Sequence, residues 1–211
     1  MAVASRTLNR GGRPTRAEAQ RRQQHLIEIA GTMFMRMGFD GTSMDSVAEA
    51  AGMSKRTVYA HYRDKNELFR AVQRSLIDRW LSPINQFQLG TSELEPMLVE
   101  IGCHLLATAL ARQAVSLHCI IIGESERRPE FGVLANEEGW QPAVRAVAAA
   151  LRRHAAKLRP LDLERAAEQF MSLVIANKIR LAALGINLDR DAIDRHVQLA
   201  VDLFLRGACR R

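Results

Sequence analysis

The chain has 211 residues, 47% of them hydrophobic and 25% charged, which is ordinary globular usage with room for one large helical domain or a small one joined to a larger one. No apolar stretch approaches a membrane span and residues 1–25 lack the apolar core of a signal peptide, while Cys103, Cys119 and Cys209 stand at unrelated spacings and make no disulfide framework. A reducing cytoplasmic compartment is therefore expected, with no membrane partner and no cofactor.

The net charge of +7 is unevenly placed: residues 1–70 hold 12 basic against 7 acidic side chains, and the remainder holds 18 against 16. Arg6, Arg10, Arg13, Arg16, Arg21 and Arg22 gather at the front, where Glu18 is the single acid. Such an arm suits a polyanion, because neutralising phosphates releases condensed counterions; a solvated tail has the same composition.

In chain order, Pro14 and Thr15 precede a run in which Leu26, Ile29, Ala30, Met33, Phe34 and Met37 share one helical face, and Gly38 is placed to end it. Thr42 and Ser43 offer the next N-cap, with Asp45 following and Met44, Val47, Ala48 and Ala51 on one face of a short helix. Gly52 breaks that pattern, and Ser54 is placed to cap a third, very short helix that buries Val58 and Tyr62. Asp64 and Glu67 form a capping box that opens a long helix along Leu68, Phe69, Val72, Leu76 and Trp80. Beyond Ile77, helical patterns cover Glu93 to Ala111, Val115 to Glu126, Pro142 to Lys157, Asp162 to Leu184 and Asp189 to Arg206. Breaks are expected near Pro83, Gly90, Pro129, Gly139, Pro160 and Gly185. The predicted fold is all-α with about nine helices, a three-helix N-terminal helix-turn-helix domain followed by a larger C-terminal helical bundle.

Residues 42–65, TSMDSVAEAAGMSKRTVYAHYRDK, carry the chemistry. Two short amphipathic helices around a glycine-containing turn, the second opening Ser-Lys-Arg-Thr, meet the requirements of a helix-turn-helix. The first helix braces the second, which lies in a major groove about 12 Å wide with its N-terminal side chains at base edges. With Val58 and Tyr62 turned inward, Lys55, Arg56, Thr57, Tyr59 and His61 are left outside. Arg56 is the candidate for bidentate contact with guanine, a pairing that contributes roughly 1–3 kcal/mol of discrimination. Lys55 or Thr57 suits a neighbouring base or a phosphate, and Thr42 and Lys65, at the starts of flanking helices, suit phosphate oxygens.

The stretch GFDGTSMDSVAEAAGMSKRTVYAHYRDKNELFRAV, with the Gly-Arg-Pro-Thr arm before it, closely resembles the DNA-binding domain of the TetR family of bacterial transcriptional regulators. The Gly-Thr-Ser, Ala-Gly-Met-Ser-Lys, Tyr-x-His-Tyr and Lys-x-Glu-Leu-Phe elements all fall in register across residues 13–72. The resemblance implies DNA contacts from Thr42, Ser54, Lys55, Thr57, Tyr59, His61 and Lys65, to which Arg13, Ser43 and Arg56 are added. Many relatives have glycine where this chain has Arg56, which points to a base preference of its own. The domain boundaries implied are a basic arm at 1–15, a DNA-binding domain at 16–75 and an effector-binding and dimerisation domain at 76–211.

The resemblance also implies repression, release from operator DNA by a small effector, and a homodimer formed through the last two long helices. Their patterning agrees: Phe170, Leu173, Val174, Asn177, Leu181 and Leu184 line one side of the penultimate helix, and Ile193, Val197, Val201, Phe204 and Leu205 one side of the last. Phe170, Leu173, Leu181, Val197, Val201 and Phe204 are the candidate interface of a four-helix contact, although an intrachain core has the same pattern. Two copies place their recognition helices about one DNA turn apart on a near-palindromic site. The segment Gly-Glu-Ser-Glu-Arg-Arg-Pro-Glu-Phe resembles AefR-like and AcrR-like regulators of hydrophobic-compound efflux, which implies a small hydrophobic or amphipathic effector. Trp80, Phe87, His104, Thr108, His118, Ile121, Glu124, Trp140, Phe170 and Asn177 are candidates to line its pocket, and core packing or a surface position accounts for each of them more simply.

Cys103-His104 and His118-Cys119 on neighbouring predicted helices form a set that zinc or copper accepts. Adjacent helical residues point about 100° apart, however, so both members of a pair rarely reach one ion, and no metal is expected. Two alternatives to the effector-released repressor remain, an effector-independent architectural DNA-binding protein and a metal- or thiol-sensing regulator. An enzyme finds no support: there is no phosphate loop, no Gly-x-Ser-x-Gly elbow, no His-Glu-x-x-His and no glycine-rich dinucleotide turn.

Overall fold

The computed structural model describes residues 15–84, 93–160, 162–186 and 189–209, so Arg13 and Phe87 lie outside the described residues. Helix α1 (Arg16–Met37) opens on a capping box in which Thr15 and Glu18 satisfy each other's backbone N–H. It closes at Gly38, whose φ of 74° and ψ of 177° define a conformation essentially reserved for glycine. Helices α2 (Met44–Ala50) and α3 (Lys55–His61) follow, with Gly52 at φ 64° turning the chain between them. Asp64 Oδ1 accepts from the Glu67 N–H at 2.8 Å, while Glu67 accepts from the Arg63 N–H at 2.7 Å. This starts α4 (Lys65–Ile84), which runs unbroken through residue 75 and past Pro83.

The remaining elements are α5 (Leu94–Leu110), α6 (Arg112–Glu124), α7 (Pro129–Leu134), a π-helical stretch (Ala135–Trp140), α8 (Gln141–Arg152), a 3₁₀ turn (Ala155–Lys157), α9 (Leu163–Ala183) and α10 (Arg190–Ala208). Pro129, expected to break structure, instead starts α7 from the first turn, where its missing N–H costs nothing. Gly139, expected as a second break, lies inside the π stretch that carries α7 into α8 without interruption. With α7 to α8 taken as one rod, the described residues form nine helical rods. They contain no strand, only an antiparallel bridge between Leu158 and Cys209 that ties the α8–α9 connection to the end of α10.

Two cores hold the chain. The first collects Leu26, Ala30 and Phe34 of α1, Val47 and Ala48 of α2, Val58 of α3 and Leu68, Phe69 and Val72 of α4. It is completed from outside the helix-turn-helix by Leu117 and Ile121 of α6 and Phe131 of α7. The second core joins α5, α8, α9 and α10 through Leu98, Leu106, Val147, Leu151, Phe170, Val174, Val197 and Val201.

Candidate nucleic-acid interface

The local sequence fixes how α3 is presented. Ser54 accepts from the Thr57 N–H at 3.1 Å, and the two hydroxyls lie 2.8 Å apart. Val58 is fully buried and Tyr62 nearly so, with the Tyr62 hydroxyl accepting from Gln23 Nε2 of α1 at 3.2 Å. The inward face is thereby locked, and Lys55, Arg56, Thr57, Tyr59 and His61 stand exposed on the other side. Tyr59 leaves 49% of its surface in solvent, a large amphipathic side chain of the kind that contacts a base methyl or sugar edge. Arg56 makes no ion pair among the described residues. Lys55 does: its Nζ donates to Asp45 Oδ2 of α2, and this bond raises the Lys55 ammonium above its ordinary value.

The flanking candidates differ from one another. Ser43, not Thr42, caps α2, accepting from the Ser46 N–H at 3.0 Å, and it is exposed. Thr42 is 1% exposed and its hydroxyl donates to the Gly38 carbonyl at 2.9 Å, so its side chain holds the turn together and is not offered to a phosphate. Lys65 is half-buried: its Nζ donates to the Phe39 carbonyl at 2.9 Å and lies 4.4 Å from the Phe39 ring centroid. An ammonium has three donors, so two remain for a phosphate oxygen.

Behind this site runs a seam that no local sequence pattern marks. Phe131 packs at a tilt against Phe69 at 4.6 Å and edge-on against Phe39 at 5.3 Å between centroids, and its carbonyl accepts from buried Gln73 Nε2 at 3.2 Å. Arg128, paired with Glu124, lies 4.3 Å from the centroid of the same Phe39 ring that Lys65 covers. Arg127 meets Asp40 at 3.8 Å, and Arg74 grips Glu138 with two nitrogens at 2.8 to 3.0 Å. The α6–α7 segment thus clamps the turn that carries the Lys65 contact.

Among the described residues, the candidate pocket residues lie in several different surroundings. Phe170 is 0% exposed in the C-terminal core, where it packs against Phe204, whereas Ile121 belongs to the N-terminal core and Glu124 is held by Arg128. Asn177 is exposed and bonded to Arg180. His104 reaches Thr108 Oγ1 at 3.4 Å and the Trp80 backbone, while Trp140 packs on the C-terminal core. Burial lowers the imidazole pKa of both His104 and His118. Cys103 is half-buried with its thiol pKa raised by desolvation, and among the described residues no three His, Cys, Asp or Glu side chains converge as metal ligands. A cleft of about 90 Å³ lies between α1 and α4 under Gln113 of α6.

The expected dimer stripe is divided between the inside and the outside of the chain. Phe170, Val197, Val201 and Phe204 are buried within the chain, where α9 packs on α5 and α8 and α10 packs on α5 and α9, and Leu181 is half-buried. The apolar residues left outside are Leu173 (42% exposed) and Leu184 (64%) on or next to α9 and Leu199 (57%) and Leu203 (52%) on α10. No helix among the described residues is long and apolar enough to cross a membrane.

Residues 26–72 match the family described as bacterial regulatory proteins, tetR family, and residues 96–207 match the C-terminal domain of AefR-like transcriptional repressors. The HTH-type transcriptional regulator AcrR of Shigella flexneri is 32% identical over 111 residues, 48% of this chain and 47% of AcrR. The chain thus spans about half the length of the curated relatives it matches. A TetR-family transcriptional regulator from Mesorhizobium loti superposes with a TM-score of 0.85 at 25% identity, over 93% of this chain and all of that one. The flavonoid-responsive regulator FrrA superposes with a TM-score of 0.73 at 31% identity, over 91% of this chain and 99% of FrrA.

Proposed function

This chain belongs to the TetR family of DNA-binding bacterial transcriptional regulators, with an AefR-like C-terminal domain, and we propose that it acts as a homodimeric repressor freed from a near-palindromic operator by a small hydrophobic or amphipathic effector. The observation that carries the reading is the outward ridge of α3, Lys55, Arg56, Thr57, Tyr59 and His61, pinned from behind by Val58 and Tyr62. Arg56, unpaired among the described residues, reads a guanine; Ser43 and Lys65 hold phosphates and set register without specifying sequence. The arm with Arg13 adds phosphate contacts. A second copy covers Leu173, Leu199 and Leu203, and a dimer of that kind sets the two α3 helices about 34–36 Å apart, one turn of DNA. The cytoplasm, at the nucleoid, is the compartment this role requires.

Release demands that the effector bind two states of the protein with different affinity. The clamp of Arg128 and Phe131 on Phe39 supports such coupling, since a ligand that shifts α6 or α7 shifts the turn bearing Lys65. FrrA is named for its response to flavonoids, so planar aromatic polyphenols are the first effector class to try. Pockets for drug-sized ligands measure about 300–1,000 Å³, and the cleft of about 90 Å³ beside α1 is far smaller, so on this reading an effector seated in the C-terminal bundle opens space in its packed core. That packed core favours a second reading, an architectural DNA-binding protein without effector.

Fluorescence anisotropy on a duplex from the protein's own upstream region, with flavonoids and hydrophobic cations added in turn, separates the two. Displacement by one compound class supports the ligand-released repressor. Tight, salt-dependent binding that no compound disturbs supports the architectural role.

A further inference from the structure

The face that meets DNA carries an acid in its midst. Asp45 stands in the first turn of α2, and its Oδ2 accepts from Nζ of Lys55, the first residue of α3. The two side chains remain 50% and 67% exposed, and a pair so exposed contributes little to stability. Buried Val47, Ala48 and Val58 already hold α2 against α3. Fold stability therefore gives little reason to set a carboxylate on a phosphate-facing surface. Its effect on DNA is larger, because it repels phosphates and engages a cation that otherwise neutralises one. Glu49, one turn further along α2, adds to the negative field at Lys55. Arg56, next in sequence, carries no such restraint among the described residues, so the two adjacent cations of α3 are not equivalent.

We infer that Asp45 is a specificity-determining residue: it withholds Lys55 from indiscriminate phosphate contact and releases it over a half-site where a cytosine amino group donates to the Asp45 carboxylate instead. The inference rests on the reading of α3 as the major-groove helix. A carboxylate accepts from cytosine N4 but gains nothing from a phosphate or from the acceptor edge of guanine. On random DNA it is a standing penalty, and on a matched site the penalty is removed.

The test is anisotropy of the full chain over a salt series, using a duplex selected by the protein from a random library and a scrambled duplex of equal length. The variants are Asp45→Asn, Asp45→Glu and, as a charge control far from α3, Glu164→Gln, each melted beside wild type. Asp45→Asn is expected to tighten scrambled-duplex binding roughly five- to tenfold near 0.1 M salt and to steepen the logarithmic salt slope by about 0.9 for each Lys55 set free. Binding to the selected duplex changes by less than about twofold, so discrimination falls, while Asp45→Glu restores it and Glu164→Gln leaves it unchanged. Equal changes on both duplexes, or none on either, overturn the inference. Failure of wild type to bind either duplex would instead sink the major-groove reading on which it stands.

Discussion

Phe131, with Leu117 and Ile121, carries α6 and α7 into the core of the DNA-binding domain, and Phe131→Ala measures what its ring contributes. The ring is 0% exposed and touches Phe39 and Phe69. Truncating a buried phenylalanine to alanine costs about 3–5 kcal/mol through lost transfer energy and the cavity left behind. Unfolding entropy of about 2.1 cal/mol/K per residue over 211 residues is about 0.44 kcal/mol/K, so the melting temperature should fall by about 7–11 °C at fixed protein concentration. The location of the loss is the sharper test. Hydrogen exchange should show deprotection across residues 26–39 and 65–77, remote in sequence from the substitution. Phe170→Ala, an equally buried change in the other core, should deprotect α5 and α9 instead. A melting shift below about 2 °C, or exchange changes confined to the C-terminal helices in both variants, would refute the claim that α6 and α7 complete the N-terminal core.

Three further outcomes follow from the same geometry. Lys65→Ala should weaken binding to every duplex alike and lower the salt slope by about 0.9 for each half-site contact, as titrations at several salt concentrations will read; a sequence-selective loss contradicts a phosphate role. Leu199→Glu with Leu203→Glu should leave the helical spectrum unchanged and yield a monomer by sedimentation, whereas a dimer of unchanged mass would move the interface off this face of α10. Because burial depresses the His104 and His118 pKa values, the unfolded chain takes up those protons first. Stability is then full above the ordinary imidazole value of about 6.5 and is lost as pH falls through it towards the folded-state values. Urea midpoints should drop across that window, and a His104→Gln, His118→Gln double variant should drop less; identical curves would assign the acid sensitivity elsewhere.

The sequence made the local devices legible. Gly38 and Ser54 were readable as caps because each satisfies helix ends within four residues, and Val58 with Tyr62 gave the buried side of α3 by spacing alone. A capping residue one position away was harder: Thr42 and Ser43 look alike as hydroxyls, and only the fold shows Thr42 donating back to Gly38 while Ser43 caps α2. Periodicity finds an apolar stripe but does not say what it packs against. Val197, Val201 and Phe204 form the stronger stripe of α10 and face the chain's own core, while Leu199 and Leu203 lie on the opposite side of the helix. The seam around Phe39 was illegible for a different reason. Arg128, Phe131 and Gln73 meet it across long stretches of sequence, and no local pattern records a contact between elements that only the tertiary fold brings together. The Asp45–Lys55 pair, which crosses the helix-turn-helix, escaped the within-helix spacing rules in the same way.

The central claim is that two copies of α3 read a near-palindromic duplex through Arg56. Selection from a random duplex library followed by sequencing, run on wild type and on Arg56→Ala, tests it most directly. A two-fold symmetric motif with half-sites about one helical turn apart is expected, with loss of preference at one position in each half for the variant. No enriched motif, or a motif that Arg56→Ala leaves unchanged at every position, would contradict it.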